Sequence, residues 1–249
     1  MRAGAQLYTT RELCKTPEGF AETLKRVADI GYTTVQVSGC CPVPADWLKA
    51  ELDKNGLSCV LTHIPVPELT GDMDALVRYH DRIGCDLIGL GYWGFSEDNG
   101  MTLDKWLDTF PAVAHEIRTR GKYFMYHNHH NEFRKVEGVT IMQRLMEAVP
   151  AEEMGFTLDT YWVQVGGGDP AQWLEKLAGR IPAIHLKDCG FGQRMEALGE
   201  GNINFDRVFE KAEAGGTRYL LVEQDDCHGE DPVECLRRSY GYLKAQGIE

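Results

Sequence analysis

The sequence has 249 residues, 43% hydrophobic and 26% charged, a globular balance that can bury a core. Its 26 Lys and Arg against 38 Asp and Glu give a formal net charge of −12, which argues against gripping nucleic acid through a basic face. No apolar run approaches the ~20 residues of a membrane span, so neither nucleic acid nor membrane is expected as a partner.

Short apolar or β-branched runs fall at 3–8, 32–37, 58–63, 86–90, 122–127, 155–158, 181–186 and 218–223, and each predicts a strand. Between them, amphipathic patterns predict helices at 17–30, 44–55, 71–83, 102–120, 138–148, 170–178, 204–214 and 231–246. Thr16-Pro17 and Asp169-Pro170 each set a capping side chain before a first-turn proline. Gly31, Gly56, Gly84 and Gly121 stand where left-handed helix ends are wanted. Trp47, Trp106 and Trp173 lie on helical patterns and are expected to pack the helices against the strands. Gly166-Gly167-Gly168-Asp169-Pro170 reads as a flexible turn with an N-cap rather than an anion nest.

The alternation demands a parallel sheet, and eight βα units close a (β/α)8 TIM barrel over 1–249 as a single domain. An open doubly wound sheet would show a glycine-rich phosphate turn after the first strand; Gln6-Leu7-Tyr8-Thr9-Thr10-Arg11 stands there instead. The eight cysteines include no CxxC pair, and Met1–Tyr8 lacks an apolar leader. Reduced thiols in a cytoplasmic protein are therefore expected, with Cys40-Cys41 read as two small residues after a strand.

Barrels carry their chemistry at the C-terminal mouth, so what each strand delivers as it ends matters most. The first four strands end at Tyr8, Gln36, His63 and Tyr92-Trp93, groups suited to a hydroxylated ligand. The last four end in His127-Asn128-His129-His130-Asn131-Glu132, Asp159-Thr160-Tyr161-Trp162, His185-Leu186-Lys187-Asp188 and Glu223-Gln224-Asp225. Glu132, Asp159, His185 and Glu223 are separated by 27, 26 and 38 residues, about one βα unit each, and are expected to project side by side. Free like charges cannot share so small a volume, and a divalent cation removes the conflict. Three carboxylates and one imidazole favour Mn²⁺ or Mg²⁺, with Co²⁺ or Zn²⁺ also compatible. An acidic residue at a strand end is often only a helix cap, and a single histidine is often a satisfied core residue; four in register are harder to dismiss. On strand 5, His127, His129 and Glu132 are all candidates. His127 and His129 face one side, so one of them is expected at the substrate while Glu132 reaches the metal. Lys187 and Arg194 are candidates to hold a substrate oxygen. His80, His115 and His228 receive no role.

These residues resemble the xylose-isomerase-like sugar phosphate isomerase/epimerase superfamily, which also takes in ketose 3-epimerases, inosose dehydratase and endonuclease IV. The resemblance runs through Gln6-Leu7-Tyr8-Thr9-Thr10-Arg11, Ile30-Gly31-Tyr32, Tyr126-His127-Asn128-His129 to Glu132-Phe133, and Gly168-Asp169-Pro170. It continues in Gly179-Arg180-Ile181-Pro182, His185-Leu186-Lys187-Asp188, Leu198-Gly199-Glu200-Gly201, Val222-Glu223-Gln224-Asp225 and Arg238-Ser239-Tyr240.

What the resemblance implies is a metal-dependent isomerase or epimerase acting on a small sugar or polyol. Glu132, Asp159, His185 and Glu223 would hold the metal. Glu132 and Glu223 would move protons at a carbon beside a carbonyl, through a metal-stabilised enediolate. Tyr8, His63, His127, His129, Trp162, Lys187 and Arg194 would bind substrate. The chain departs from the ketose epimerases in having His127 at their strand-5 glutamate and Trp162 where an Asp-x-x-His pattern has histidine. Two alternatives follow: a lyase that dehydrates an inosose or eliminates the β-leaving group of a 3-keto-glycoside, and a non-catalytic sugar-binding barrel. A homo-oligomer is compatible with either. An endonuclease fits poorly, since that chemistry needs more histidine ligands and a surface that grips a duplex.

Overall fold

In the computed structural model, which describes residues 1–249, the predicted alternation becomes eight parallel strands wrapped in helices. The strands are β1 (Arg2–Gln6), β2 (Thr34–Val37), β3 (Ser58–His63), β4 (Leu87–Leu90), β5 (Tyr123–His127), β6 (Met154–Thr157), β7 (Ala183–Leu186) and β8 (Tyr219–Val222). They pair in the order β6-β5-β4-β3-β2-β1-β8-β7. The seam between β6 and β7 closes through a parallel bridge between Asp159 and His185. There His185 N donates to Leu158 O at 2.9 Å, and lower down Phe156 N donates to Arg180 O at 2.7 Å. The buried Arg180 guanidinium fills the bottom of this seam, donating to the carbonyls of Met146, Val149 and Met154 at 2.9–3.1 Å.

Period-2 alternation decides which side chains enter the lumen. Leu61, Leu87, Met125, Ala183 and Leu221 pack with one another inside the barrel. Two residues beyond Met125, Ala183 and Leu221 along their strands come His127, His185 and Glu223, on the same face. Their outward neighbours Phe124, Tyr126, Ile184, Leu186, Leu220 and Val222 join the larger core between strands and helices. Trp106 and Phe110 of the helix Leu103–Thr119 pack in that layer, 5.5 Å apart.

Caps act where the sequence places them. Thr16 Oγ1 accepts from Gly19 N at 3.2 Å, and Asp169 Oδ1 accepts from Ala171 N at 2.9 Å. Gly84 ends the helix Met73–Ile83 at φ 70°, a conformation that costs most residues a steric penalty. The pattern misses two helices, Val66–Leu69 and Thr160–Val165, of four and six residues, too short to show a 3.6-residue period. It also misses two hairpins, Lys135–Val136 with Val139–Thr140 and Asp188–Cys189 with Met195–Glu196, whose two-residue strands cannot display alternation. No helix is long and apolar enough to cross a membrane.

Candidate active site

At the C-terminal mouth, β5 to β8 bring His127, Asp159, His185 and Glu223 together, all buried, with one ligating atom from each within 4.8 Å of the others. Asp159, His185 and Glu223 belong to the expected set; the place of Glu132 is taken by His127. The reason is local. His127 is the last residue of β5 and faces the lumen, whereas the chain then folds back through the turn Asn131–Phe133. That turn carries Glu132 to the outer side of the strand, where Oε1 accepts from Tyr126 Oη at 2.6 Å and Oε2 from His129 N at 3.0 Å. Burial pushes the Glu132 carboxyl up to about 7, although these two donors pull against it.

The histidines of the centre are held by acceptors on their far sides. His127 Nδ1 lies 2.9 Å from Gly91 O, and a carbonyl can only accept, so Nδ1 carries a proton and, in the neutral ring, Nε2 holds the lone pair. Nε2 points at Asp159 Oδ2, 3.3 Å away. His185 Nε2 lies 2.6 Å from Gln36 Oε1, leaving Nδ1 to face Glu223 Oε2 at 2.9 Å and Asp159 Oδ2 at 3.7 Å. The contact between His185 Nδ1 and Glu223 Oε2 lacks hydrogen-bond geometry, and both atoms are buried without a hydrogen-bond partner. In their neutral forms these rings would turn lone pairs toward the carboxylate oxygens, an arrangement that a cation between them would relieve. Asp159 is held in turn by Asn128, whose Oδ1 accepts from Asp159 N, while Asp159 Oδ1 caps Trp162 N; both bonds are 3.0 Å.

Lys187 is fully buried beside this centre, with Nζ 3.1 Å from Asp159, 2.9 Å from Glu223 and 3.0 Å from Asp225. Burial alone would raise the Asp159 and Glu223 carboxyls, but the Lys187 ammonium outweighs it and holds both well below the usual range. Burial would lower the Lys187 ammonium, and its three carboxylates instead keep it well above normal. Burial and the nearby imidazoles drive His63 and His129 well below the ordinary histidine range, so both are neutral.

Above the centre opens a cavity of about 490 Å³ lined by Tyr8, Ser38, His63, Tyr92, His127, His129, Trp162, Lys187, Glu223 and Asp225 among others. That size suits a small ligand. His129 lies between Tyr92 and Trp162, with ring centroids 5.0 and 5.1 Å away. His63 Nδ1 meets Ser38 Oγ at 3.2 Å, and its Nε2 is buried without a partner. Of the expected substrate-binding residues, Tyr8, His63, His127, His129, Trp162 and Lys187 line this cavity. Arg194 does not: it sits half-exposed on the hairpin after β7, 3.0 Å from Glu196. Sequence reasoning missed the partnership of Lys187 with Asp225 and the clamps on the two imidazoles. Gln36 is visible in the sequence as a polar strand end, but the Gly91 carbonyl leaves no trace in side-chain chemistry.

A family model described as xylose isomerase-like TIM barrel matches residues 24–246. An inosose dehydratase of Geobacillus kaustophilus is 26% identical over 92% of this chain and 86% of its own length. Among solved structures, a sugar phosphate isomerase/epimerase from Parabacteroides distasonis superposes with a TM-score of 0.84 at 23% identity, over 98% of this chain and 93% of that one. An L-ribulose 3-epimerase superposes at 0.75 with 16% identity over 98% and 93%, a likeness of fold. With the family model spanning nearly all of a barrel whose strand ends converge on one buried centre, the chain belongs to the xylose isomerase-like TIM barrel family.

Proposed function

We propose that this barrel is a metal-dependent enzyme that removes a proton from the carbon beside the carbonyl of a small sugar or cyclic polyol. One observation carries the reading: His127, Asp159, His185 and Glu223 aim their free donor atoms at one buried point beneath the cavity. The charges close as well. Lys187 balances Asp225, the two imidazoles are neutral as ligands, and the remaining two carboxylates match a dication. Two imidazoles make a softer donor set than the three carboxylates and one imidazole expected from sequence. Preference accordingly moves from Mg²⁺ toward Mn²⁺, Co²⁺ or Zn²⁺.

When bound, such an ion supplies Lewis acidity toward a substrate oxygen. The protein does the rest. Trp162, Tyr92 and Tyr8 offer faces for the C–H surfaces of a polyol. Glu223, at the floor of the cavity and held ionised by Lys187, takes the proton. His63 handles the second proton: rotation of the Ser38 hydroxyl lets its Nε2 present either an N–H or a lone pair to the cavity.

With Glu132 turned outward, a single glutamate remains at the centre, which favours loss of a β-hydroxyl as water over return of the proton by a second carboxylate. The inosose dehydratase of Geobacillus kaustophilus supports the same choice. Epimerisation shares the first step and is the second reading, supported by the likeness to L-ribulose 3-epimerase.

Incubating the Mn²⁺-loaded protein with ketoses and inososes in D₂O tests all of this. Dehydration gives an absorbing enone, and epimerisation gives deuterium at the epimerised carbon without one. Neither product from any substrate, together with sub-stoichiometric metal in protein purified without chelator, would return the barrel to a non-catalytic sugar-binding role.

A further inference from the structure

We propose that Gln36 is a positioning residue that fixes the tautomer of His185, so that the two imidazoles of the centre present opposite ring nitrogens to one ion. The inference rests on the metal-centre reading above and goes beyond it in assigning the nitrogen. Gln36 lies on β2, separated from the β7 of His185 by β1 and β8 in the strand order, so their bond spans the barrel lumen rather than a ladder. Both side chains are fully buried, and the Oε1 to Nε2 distance is 2.6 Å. An amide oxygen only accepts, so Nε2 carries the proton and Nδ1 is the nitrogen left for Asp159 and Glu223 to face. His127 is fixed in the opposite sense, because Gly91 O holds its Nδ1 proton and exposes Nε2.

The two clamps differ in kind. A backbone carbonyl stays whatever side chain occupies the position, whereas the amide of Gln36 can be removed by one substitution. The tautomer of His127 is thus built into the path of the main chain, and that of His185 depends on residue 36. Loss of a partner of this type costs roughly 10- to 100-fold in metal affinity.

Histidine-selective ¹⁵N long-range correlation spectra of the full-length protein read the tautomers directly. In the Zn²⁺-loaded wild type, His185 is expected with Nε2 protonated and Nδ1 bound, and His127 with the reverse. Burial would lower the His185 ring, but Glu223 and Asp159 outweigh it and raise the ring, so metal-free protein is taken to a pH at which that ring is neutral, and there His185 keeps the Nε2–H form. Gln36→Leu is expected to mix the tautomers of His185, leave His127 unchanged and weaken Zn²⁺ binding about tenfold or more. Gln36→Glu restores the acceptor and should restore both readouts, and Gln36→Met stands in should the leucine variant fail to fold. A purely structural role would change stability without moving the tautomer. Protonated Nδ1 in wild-type His185, or an unaltered tautomer and Zn²⁺ affinity in Gln36→Leu and Gln36→Met, overturns the proposal. Wild-type protein that binds no Zn²⁺ but shows the Nε2–H form, lost in Gln36→Leu, would instead defeat the metal reading and leave the role of Gln36 standing.

Discussion

Asp159 and His185 meet twice, once through the backbone bridge that closes the barrel between β6 and β7 and once through side chains whose Oδ2 and Nδ1 lie 3.7 Å apart. The last strand pairing of the fold and the candidate metal centre therefore occupy one point.

Metal removal should consequently loosen the seam as well as stop turnover. Exhaustive EDTA treatment is expected to lower the melting temperature and to speed amide exchange at His185 and Asp159. An ion at 100 times its Kd stabilises the folded state by about 2.7 kcal/mol. Mn²⁺ should restore both properties better than Ca²⁺, which prefers more oxygen ligands at longer distances. Calorimetry and hydrogen exchange before and after chelation check this; identical curves would contradict it.

His127→Ala should emerge metal-poor, and Glu132→Ala should keep its metal while losing stability. His127 aims a lone pair into the centre, whereas Glu132 serves Tyr126 and the His129 amide. Leaving that buried phenol and amide unpaired costs about 1–3 kcal/mol each. Elemental analysis of the two purified variants decides. A loaded His127→Ala beside an empty Glu132→Ala would mean the structure assigns the wrong strand-5 ligand.

Glu132 also sets a pH dependence. Burial raises its carboxyl to about 7 from an ordinary 4.5, so the folded state holds the proton more tightly than the unfolded chain. Its stabilising contribution is complete below pH 4.5, falls between there and about 7, and is gone above. The span of the loss is about 3 kcal/mol at 1.36 kcal/mol per unit. Denaturant titrations in EDTA should show wild-type stability falling more than that of Glu132→Gln across this window. Parallel profiles for the two proteins would refute it.

Lys187→Met should bind the metal more tightly, by tenfold or more (about 1.4 kcal/mol), yet be inactive. The Lys187 ammonium competes with a cation for the same oxygens of Asp159 and Glu223, and its charge repels the ion. Its removal leaves Asp225 without its partner, which should cost about 3–5 kcal/mol of stability. Isothermal titration with Mn²⁺ reads the affinity, and weaker binding would show that Lys187 supports the ion instead.

Much of this was legible in the sequence, because the governing periods are long. Each of the eight strands was placed within about two residues, since βα alternation repeats over the whole chain, and Asp159, His185 and Glu223 followed from strand-end spacing. Strand 5 was read less well. His127 and Glu132 are five residues apart and both polar, and only the turn at Asn131–Phe133 decides which one enters the lumen. Spacing cannot foresee that turn. Nor could it foresee that Lys187 would be buried among three carboxylates, because a lysine at a strand end looks the same whether its ammonium bends inward or out.

The Arg180 guanidinium fastens the lower end of the β6–β7 seam through four hydrogen bonds to main-chain carbonyls, and these need no ligand. The upper end, closed by the His185 N to Leu158 O bond, would on the metal-centre reading gain a second tie when an ion joins Asp159 and His185. A protease meeting such a chain without its metal would find the mouth held less firmly than the base. Cleavage would begin in the segments flanking Asp159 and His185, and the cellular lifetime of the protein would follow the supply of its metal.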